Sequence, residues 1–501
     1  MALADYYDRG ALAAAQALQG GFEDSRFRSL LEATPLGISF EKAAGATPEG
    51  QALLDLTVRI VARLFPAIQL DPDEGTAGTD SAAELARAIN PNIELVENSA
   101  QIGVALGGAN RTYERTVHAG SDGWNALIST EAPQRIGSSQ LPFGAGAAAC
   151  LAMAEVFRWI FLAAEHEPQP ELRYSTFKLG AGGSAPASKK LTDIGQTALI
   201  GAGAIGNAAV WALARAPIEG TLQIVDPEMI ELSNLQRYVL ATRADEAAPK
   251  ASLASEQLTG GLTGVTHPVA LAEFLSEQGY RWERMLLALD SARDRRSAQA
   301  SLPRWIANAW TQPGDLGVSV HPSFDSDGVC VSCLYLQDQK MRSEDELIAE
   351  ALGINDQLGQ VRQMLVTGEG LQPGLAEMIA QRLGRPPQVL ADFTGRPIRE
   401  LYVQGICGGA VLPLGSPQAP RAEVHVPLAH QSALAGVLLA AAYARSLGTK
   451  PVTQSEVARL DVMRPTGPVE PQPSRKRGDG RCICEDPDFL AVYAEKWPGR
   501  N

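Results

Sequence analysis

Histidine and cysteine are scarce in this chain, six of each in 501 residues, aromatic residues make up 6%, and the 43 basic residues fall short of 57 acidic ones. Each shortage removes a class of protein. The resulting formal net charge of −14 repels phosphate backbones, and no arginine-rich stripe offsets it, so nucleic acid is excluded as a partner. Long apolar runs are missing too. The stretches near Ala147–Ala164 and Ser432–Ala442 are interrupted by Glu155 and Arg158 or fall short of the ~20 residues a membrane span needs, so no membrane association is expected. The start, Met-Ala-Leu-Ala-Asp-Tyr-Tyr-Asp-Arg, is acidic where a secretory leader is basic, and a cytoplasmic location is the expectation. His118, His166, His267, His321, His425 and His430 have no metal-binding spacing and read as packing or surface residues. The cysteines are too few for a disulfide framework, and four of them form two tight pairs that suit a metal in a reducing compartment.

What is present is 45% hydrophobic residues, ample for packed cores in a chain of about three domains on the usual ~150-residue prior. The run LGAGGSAPAS, Leu179–Ser188, reads as a flexible linker that divides the chain into residues 1–188 and 189–501. The first part has helical stretches at Gln51–Leu64 and Ala145–Ala163 and strand-like runs at Ile93–Val96 and Trp124–Ser129. It has no intact phosphate loop: PFGAGAAAC, Pro142–Cys150, has the glycines of a loop entering a helix but no apolar strand before it. Cys150, in a small-residue helix, reads as a buried apolar filler. The second part alternates strand (Thr197–Gly201), helix (Ile205–Ala214), strand (Thr221–Asp226), strand (Met285–Asp290) and helix (Ser291–Leu302), the rhythm of a mostly parallel, helix-covered α/β sheet. A polar, helical segment from Gln339 to Gly395 interrupts that rhythm as an insertion, and Pro471–Gly480 has the composition of a mobile connector.

The chemistry concentrates after the linker. Gly201, Gly203 and Gly206 lie between an apolar strand and a small-residue helix, so the backbone can turn tightly and aim helix N-terminal amides at phosphate, with Asp226 ending the next strand where a carboxylate can hold ribose hydroxyls. On these residues alone a nicotinamide or flavin site is equally expected. Asn234 and Arg237 follow eight and eleven residues after Asp226, and Lys250 thirteen further on, an amide and two cations that suit a triphosphate and that a hydride donor leaves idle. Asp290 closes the LLALD strand on the same crevice and can hold Mg²⁺. Cys330-Val-Ser-Cys333 and Cys482-Ile-Cys484 supply the four thiolates of a closed, structural Zn²⁺ site tying the tail to the α/β body, with the C-x-C pair pointing to one side of an extended segment. Cys407, in Gly405-Ile406-Cys407-Gly408-Gly409, has the glycine-flanked setting of an unshielded nucleophile, or of a core cysteine in a tight turn.

In order, Gly201, Gly203, Gly206, Asp226, Asn234, Arg237, Lys250 and Asp290 resemble the signature of the E1-like adenylating enzymes, activators of sulfur-carrier and ubiquitin-like proteins, over about Thr192–Leu336. Two positions depart from that pattern: Ser291 stands where the family often has Asn, with Arg295 at the usual offset, and the second cysteine pair is tighter than C-x₂-C. The resemblance implies a Rossmann-like adenylation domain in residues 189–501, an insertion at about 339–410 carrying the transfer cysteine Cys407, and a tail at 471–501 closing the zinc site. It also implies that residues 1–188 are a degenerate, inactive adenylation-like α/β domain, giving a pseudo-dimer within one chain or a homodimer through that domain. SQLPFGAGAAAC together with GICGG is similar to E1-like proteins of bacterial operons linked to antiviral defence. The implied reaction uses Mg²⁺ and ATP to adenylate the C-terminal glycine of a ubiquitin-like protein, with Arg237, Lys250 and Asp290 at the phosphates. Cys407 then takes the acyl group as a thioester and passes it to an E2-like protein. An arginine from the opposite half, Arg9, Arg26 or Arg28, is expected at the triphosphate, with Arg26 in the most similar context. The competing expectations are a sulfur-carrier-protein adenylyltransferase, against which the 188-residue leader speaks, and an NAD-dependent oxidoreductase.

Overall fold

A computed structural model describes residues 2–18, 22–162, 167–186, 190–193, 195–312, 314–336, 343–407, 427–448, 452–466 and 470–498. Side chains of residues 9, 16, 17, 403, 404 and 407 are also outside the description. The chain forms two compact units, a larger one from Met1–Gly10, Arg28–Leu336 and Pro427–Asn501 and a smaller one from Ala11–Phe27 and Gln337–Val426.

The larger unit holds two sheets. The first consists of β1 (Leu36–Phe40), β2 (Ala67–Pro72), β3 (Glu94–Leu95), β4 (Ile102–Leu106), β5 (Arg115–Asp122), β6 (Asn125–Ser129), β7 (Leu172–Ser175) and β8 (Gly180–Ala181), in the order β3-β2-β1-β4-β5-β6-β7-β8. Its first five strands in that order pair in parallel and the remaining pairings are antiparallel. The second consists of β9 (Leu191–Thr192), β10 (Thr197–Ile200), β11 (Ile218–Val225), β12 (Leu262–His267), β13 (Arg284–Leu287), β14 (Trp305–Gln312), β15 (Asp315–His321), β16 (Glu456–Leu460) and β17 (Gln472–Pro473). Its order is β12-β11-β10-β13-β14-β15-β16-β17, with β9 beside β11. Again the first five pair in parallel and the rest antiparallel. Apart from β9, the second sheet repeats the first strand for strand.

The helices repeat as well. Pro48–Val61 follows β1, and Ala204–Leu213 follows β10. Phe143–Phe161 stands between β6 and β7 as Ala429–Ser446 stands between β15 and β16. The repeat locates the insertion: what is a 13-residue connection, 130–142, in the first half expands in the second to carry the first cysteine pair and the Gln337–Val426 part of the smaller unit.

Ala204–Leu213 and Ala429–Ser446 are rich in small apolar residues and buried along nearly their whole length, the pattern of helices enclosed by protein. Small residues let them touch. A Cβ on Gly436 would stand 2.3 Å from the Ile205 carbonyl oxygen and 2.6 Å from the Ala208 Cβ, so only glycine fits there. Ala429–Ser446 also packs on Phe143–Phe161, which joins the two halves. Phe143–Phe161 is long and apolar enough to cross a membrane by composition, but 94% of its apolar window is buried within the fold, where Glu155 and Arg158 pair with each other. It is a core helix.

The structure departs from the sequence expectations at several places. Residues 179–186 are anchored instead of loose: Gly180–Ala181 forms β8, the Gly182 amide donates to the Arg173 carbonyl at 2.7 Å, and the Trp124 indole donates to the Pro186 carbonyl at 3.1 Å. Backbone donors and acceptors tie down what small side chains leave free. Residues 187–188 lie outside the described residues. β1, β2, β4 and β5 give the first half a parallel sheet that its short apolar runs did not announce. In the smaller unit, Glu344–Ala351, Leu358–Thr367 and Pro373–Arg382 surround a core that includes Ile348, Leu352, Val361, Ile379, Leu401 and Ile406. Arg399 grips Glu344 with two bonds of 2.6 and 2.9 Å, which holds that carboxyl below its usual range.

Replacing Gly436 by valine is expected to lower stability by about 2 kcal/mol or more through overpacking, whereas alanine at the unobstructed helical Gly359 is expected to stabilise by up to about 1 kcal/mol. Denaturant unfolding of the two variants checks both signs.

Candidate functional site

In the second sheet the chain turns outward on opposite sides of β10, so the carboxyl ends of β10, β11 and β13 flank a topological switch point. Ile200 pairs with Val225 on one side and Leu287 on the other. Gly201 leaves β10 with φ +96°, a left-handed conformation open to glycine, and a side chain there would strike the Ala288 carbonyl at 2.6 Å. Gly203 is the N-cap of Ala204–Leu213, and a Cβ on Gly206 would lie 2.0 Å from the Gly201 carbonyl, so the helix starts against its own loop. Its first amides therefore face the crevice, where an anion is favoured.

Asp226 is buried just past β11. Its two oxygens accept from the Ala202 amide at 2.7 Å and the Glu228 amide at 2.9 Å, which fixes the glycine loop. Burial raises its pKa against those bonds. Asn234 ends the short helix Leu232–Asn234, and its side-chain oxygen accepts from the Glu231 amide at 3.0 Å. That oxygen is occupied in shaping the turn that presents Arg237.

Tyr238, which the sequence reading passed over, is the centre of the cationic wall. The Arg237 guanidinium carbon lies 5.6 Å and the Lys250 ammonium 5.3 Å from its ring centroid, and its hydroxyl stands 3.5 Å from where a Gly203 Cβ would be. Lys250 begins the Lys250–Glu256 helix, is buried, and is paired with Glu228. Burial opposes its charge, but the Tyr238 hydroxyl and Glu228 outweigh it and its pKa is raised. Asn207, also missed, accepts from the Leu240 amide at 2.6 Å and so pins this segment to the glycine helix. The signal was local: Asn207 immediately follows Gly206, and Tyr238 follows Arg237.

Asp290 lies exposed three residues beyond β13, not on the strand end expected, because regular pairing stops at Leu287. It stays beside the crevice through the Ala288 amide, which donates to the Ile200 carbonyl at 2.9 Å, and through Arg295, which donates to the Leu289 carbonyl. Arg295 is buried and also bonded to Asn308 and the Ala309 carbonyl, so it braces the loop. Ser291 caps the Ala292–Ala300 helix by accepting from the Asp294 amide at 2.9 Å.

Of the three candidate arginines, Arg28 stacks 4.5 Å over the Tyr7 ring, and Arg26 is exposed on the Asp24–Ala33 helix. The Arg9 side chain is outside the described residues. Cys407 is the last residue of a single π-helical turn, Leu401–Cys407, while its side chain, Gly408 and Gly409 are outside the description. Cys150 is 1% exposed, and burial pushes its thiol pKa up.

Cys330, Cys333, Cys482 and Cys484 are buried and unbridged, with sulfurs all within 4.8 Å of one another. Pairs stand 3.3 to 3.8 Å apart, close to the ~3.8 Å edge of an S₄ tetrahedron around a zinc with ~2.3 Å bonds. The donor set fits that metal. The second pair is not extended as expected: Cys482 caps a 3₁₀ turn, Ile483–Glu485, and it is this turn that brings both thiols round. Among the described residues this is the one cluster with metal-holding geometry. His118 and His430 are buried, His267 bonds Gln223 and His321 bonds Val329 and Ser319, while His166 and His425 lie outside the description.

The first half's equivalent crevice is different. Glu41 follows β1 where Gly201 follows β10, its carboxylate lies over Gly107, and an open crevice is lined by Glu41, Lys42, Asp73, Glu74, Gly75 and Asn110.

Residues 178–277 match the ThiF family, and residues 39–162 match Prok-E2_C, "Prokaryotic E2 family C". "Uncharacterized protein y4jF" of Sinorhizobium fredii (strain NBRC 101917 / NGR234) is 42% identical over 510 residues, covering 99% of this chain and 98% of its own. "Sulfur carrier protein ThiS adenylyltransferase" of Bacillus subtilis (strain 168) is 40% identical over 88 residues, 17% of this chain and 26% of its own. Among solved structures, Escherichia coli MccB with MccA-N7isoASN covers 58% of this chain and 67% of its own at 12% identity and a TM-score of 0.36, too slight a likeness to bear on function. The glycine loop at the switch point, the cationic segment after it and these matches together make the chain a member of the family of y4jF and an E1-like protein of the ThiF/MoeB kind.

Proposed function

We propose that the protein is an E1-like activating enzyme that uses Mg·ATP to adenylate the C-terminal carboxylate of a ubiquitin-like protein, forms a thioester on Cys407 and passes it to an E2-like protein. The observation that carries this reading is the gathering of Arg237 and Lys250 about Tyr238, whose hydroxyl stands beside Gly203 at the start of Ala204–Leu213. The carboxylate oxygen attacks the α-phosphorus and pyrophosphate leaves. Arg237 and Lys250 then neutralise charge as it develops on the phosphates, and Glu228 yields Lys250 to them. Asp226 keeps the loop amides aimed. Mg²⁺, held by Asp290, would supply further charge neutralisation. The Cys407 thiolate then attacks the acyl carbon, forming the C–S bond as the bond to AMP breaks.

The π-helical stretch that contains Cys407 supports a functional role, since such turns are rare and gather at working sites. For the arginine from the opposite half, the larger unit favours Arg9: its neighbour Gly10 lines the same small cavity as Gln236, and Asp5 pairs with Arg243 at 3.0 Å. The first half is read as nucleotide-free, because Glu41, Asp73 and Glu74 occupy the place where the second half offers amides. The Prok-E2_C match does not give it a transfer role of its own, since the one cysteine in 39–162 is the buried Cys150. The ThiS adenylyltransferase likeness supports a second reading, activation of a sulfur carrier without a transfer cysteine.

Arg237→Ala or Asp290→Ala is expected to abolish carrier-dependent ATP–pyrophosphate exchange with the fold retained. Cys407→Ala should keep exchange yet lose the reductant-sensitive adduct, and Cys150→Ala should lose neither. Wild-type adenylation with no adduct would favour the sulfur-carrier reading, and full exchange by either site variant would overturn the site. Metal analysis is expected to find about one zinc per chain, and Cys482→Ser to release it, because a closed site needs all four thiolates.

A further inference from the structure

One of the contacts between the halves falls on the backbone that follows Arg237. Arg63, just past the Pro48–Val61 helix, is 5% exposed, and its guanidinium donates to the Tyr238 carbonyl at 2.6 Å, the Ala241 carbonyl at 2.5 Å and the Arg59 carbonyl at 2.6 Å. Arg59, one turn earlier, donates to the Val239 carbonyl at 2.8 Å. Four consecutive residues, Tyr238 to Ala241, thus lie under two arginines of the opposite half. Arg59 is itself fixed by Asp55 at 2.8 Å, and Asp55 also accepts from Arg215 at 3.0 Å and the Trp211 indole at 2.7 Å, both on or beside the glycine helix. Burial would raise the Asp55 pKa, but Arg59, Arg215 and Trp211 hold it below its usual range, so the brace stays charged at neutral pH.

A cavity of about 20 Å³ lies beside it, room for one water, lined among others by Arg63, Gln236 and His430. Each of these has a buried side-chain nitrogen with no hydrogen-bond partner among the described residues. Gln236 directly precedes Arg237. The gripped segment carries none of its own regular pairing: it is held from one side by Asn207, through the Leu240 amide, and from the other by Arg63 and Arg59.

We propose that Arg63, assisted by Arg59, is a positioning residue of the adenylation site, through which the nucleotide-free half sets the placement of Arg237 and Tyr238 in the other half. The guanidinium fork matters, since its planar donors meet three carbonyls at once and an ammonium cannot reproduce that geometry. The inference rests on the nucleotide reading of the second half, and its test separates the two.

Mg·ATP binding to the whole protein is measured by titration calorimetry, with no carrier protein needed. The expected result is a dissociation constant raised about tenfold or more in Arg63→Lys and about threefold in Arg59→Ala, the partly exposed and structurally milder variant. Addition of guanidinium ion at non-denaturing concentration should restore part of the affinity in Arg63→Ala. A purely structural loss would lower the number of competent sites and leave the dissociation constant and the guanidinium response unmoved. Wild-type affinity in folded Arg63→Lys and Arg59→Ala overturns the brace alone. Failure of the wild-type protein to bind Mg·ATP removes the nucleotide reading and the brace with it.

Discussion

Everything in the larger unit depends on how closely two small-residue helices approach. Ala429–Ser446 lies against Ala204–Leu213 with Gly436 over the Ile205–Ala209 backbone, and no larger residue fits. That contact sets the height of the glycine helix on its sheet, and therefore the direction in which its first amides point. The same Ala429–Ser446 helix packs on Phe143–Phe161 of the first half, so one element fixes both the site and the opposite half. Close packing of this kind transmits position because a packed interior has few ways to relax.

The two sheets share strand order and strand polarity, yet their switch points have diverged in charge. One ends in Gly201-Ala202-Gly203 with Arg237 and Lys250 beside it, and the other in Glu41-Lys42 with Asp73 and Glu74. The first arrangement offers helix N-terminal amides and cations; the second offers carboxylates, which repel a triphosphate. On the proposed reading, the part played by the first half is mechanical. Its Arg59 and Arg63 hold backbone carbonyls of the cationic segment, and its Asp55 holds Trp211 and Arg215 beside the glycine helix.

The sequence made the second half legible because its signals are local. Three apolar residues before Gly201, glycines at fixed spacing and a carboxylate at the end of the next strand are all read within one βαβ unit, and the structure has β10, the Ala204–Leu213 helix and β11 there. The cysteine pairs were legible for the same reason, although their 3₁₀ turn was not. The first half was harder. β1 and β4 are LGISF and IGVAL, too short to separate from other apolar runs, and Glu41 erased the glycine signature that marks the same turn in its twin. Arg63 left no trace at all: its acceptors are main-chain carbonyls as far as 178 residues away, and carbonyls have no letter in a sequence. Asp226 and Asn234 each accept from backbone amides that shape the loop, a duty that local spacing does not distinguish from holding a ligand.

The central claim is one nucleotide site per chain, in the second half, and native mass spectrometry with Mg·ATP tests it most directly. The expected result is a single bound nucleotide, unaffected by Glu41→Ala and lost in Gly203→Val, where an added Cβ meets nothing nearer than the Tyr238 hydroxyl at 3.5 Å and the branched side chain takes up room at the start of the helix. Two nucleotides per chain, or one that survives Gly203→Val, would contradict it.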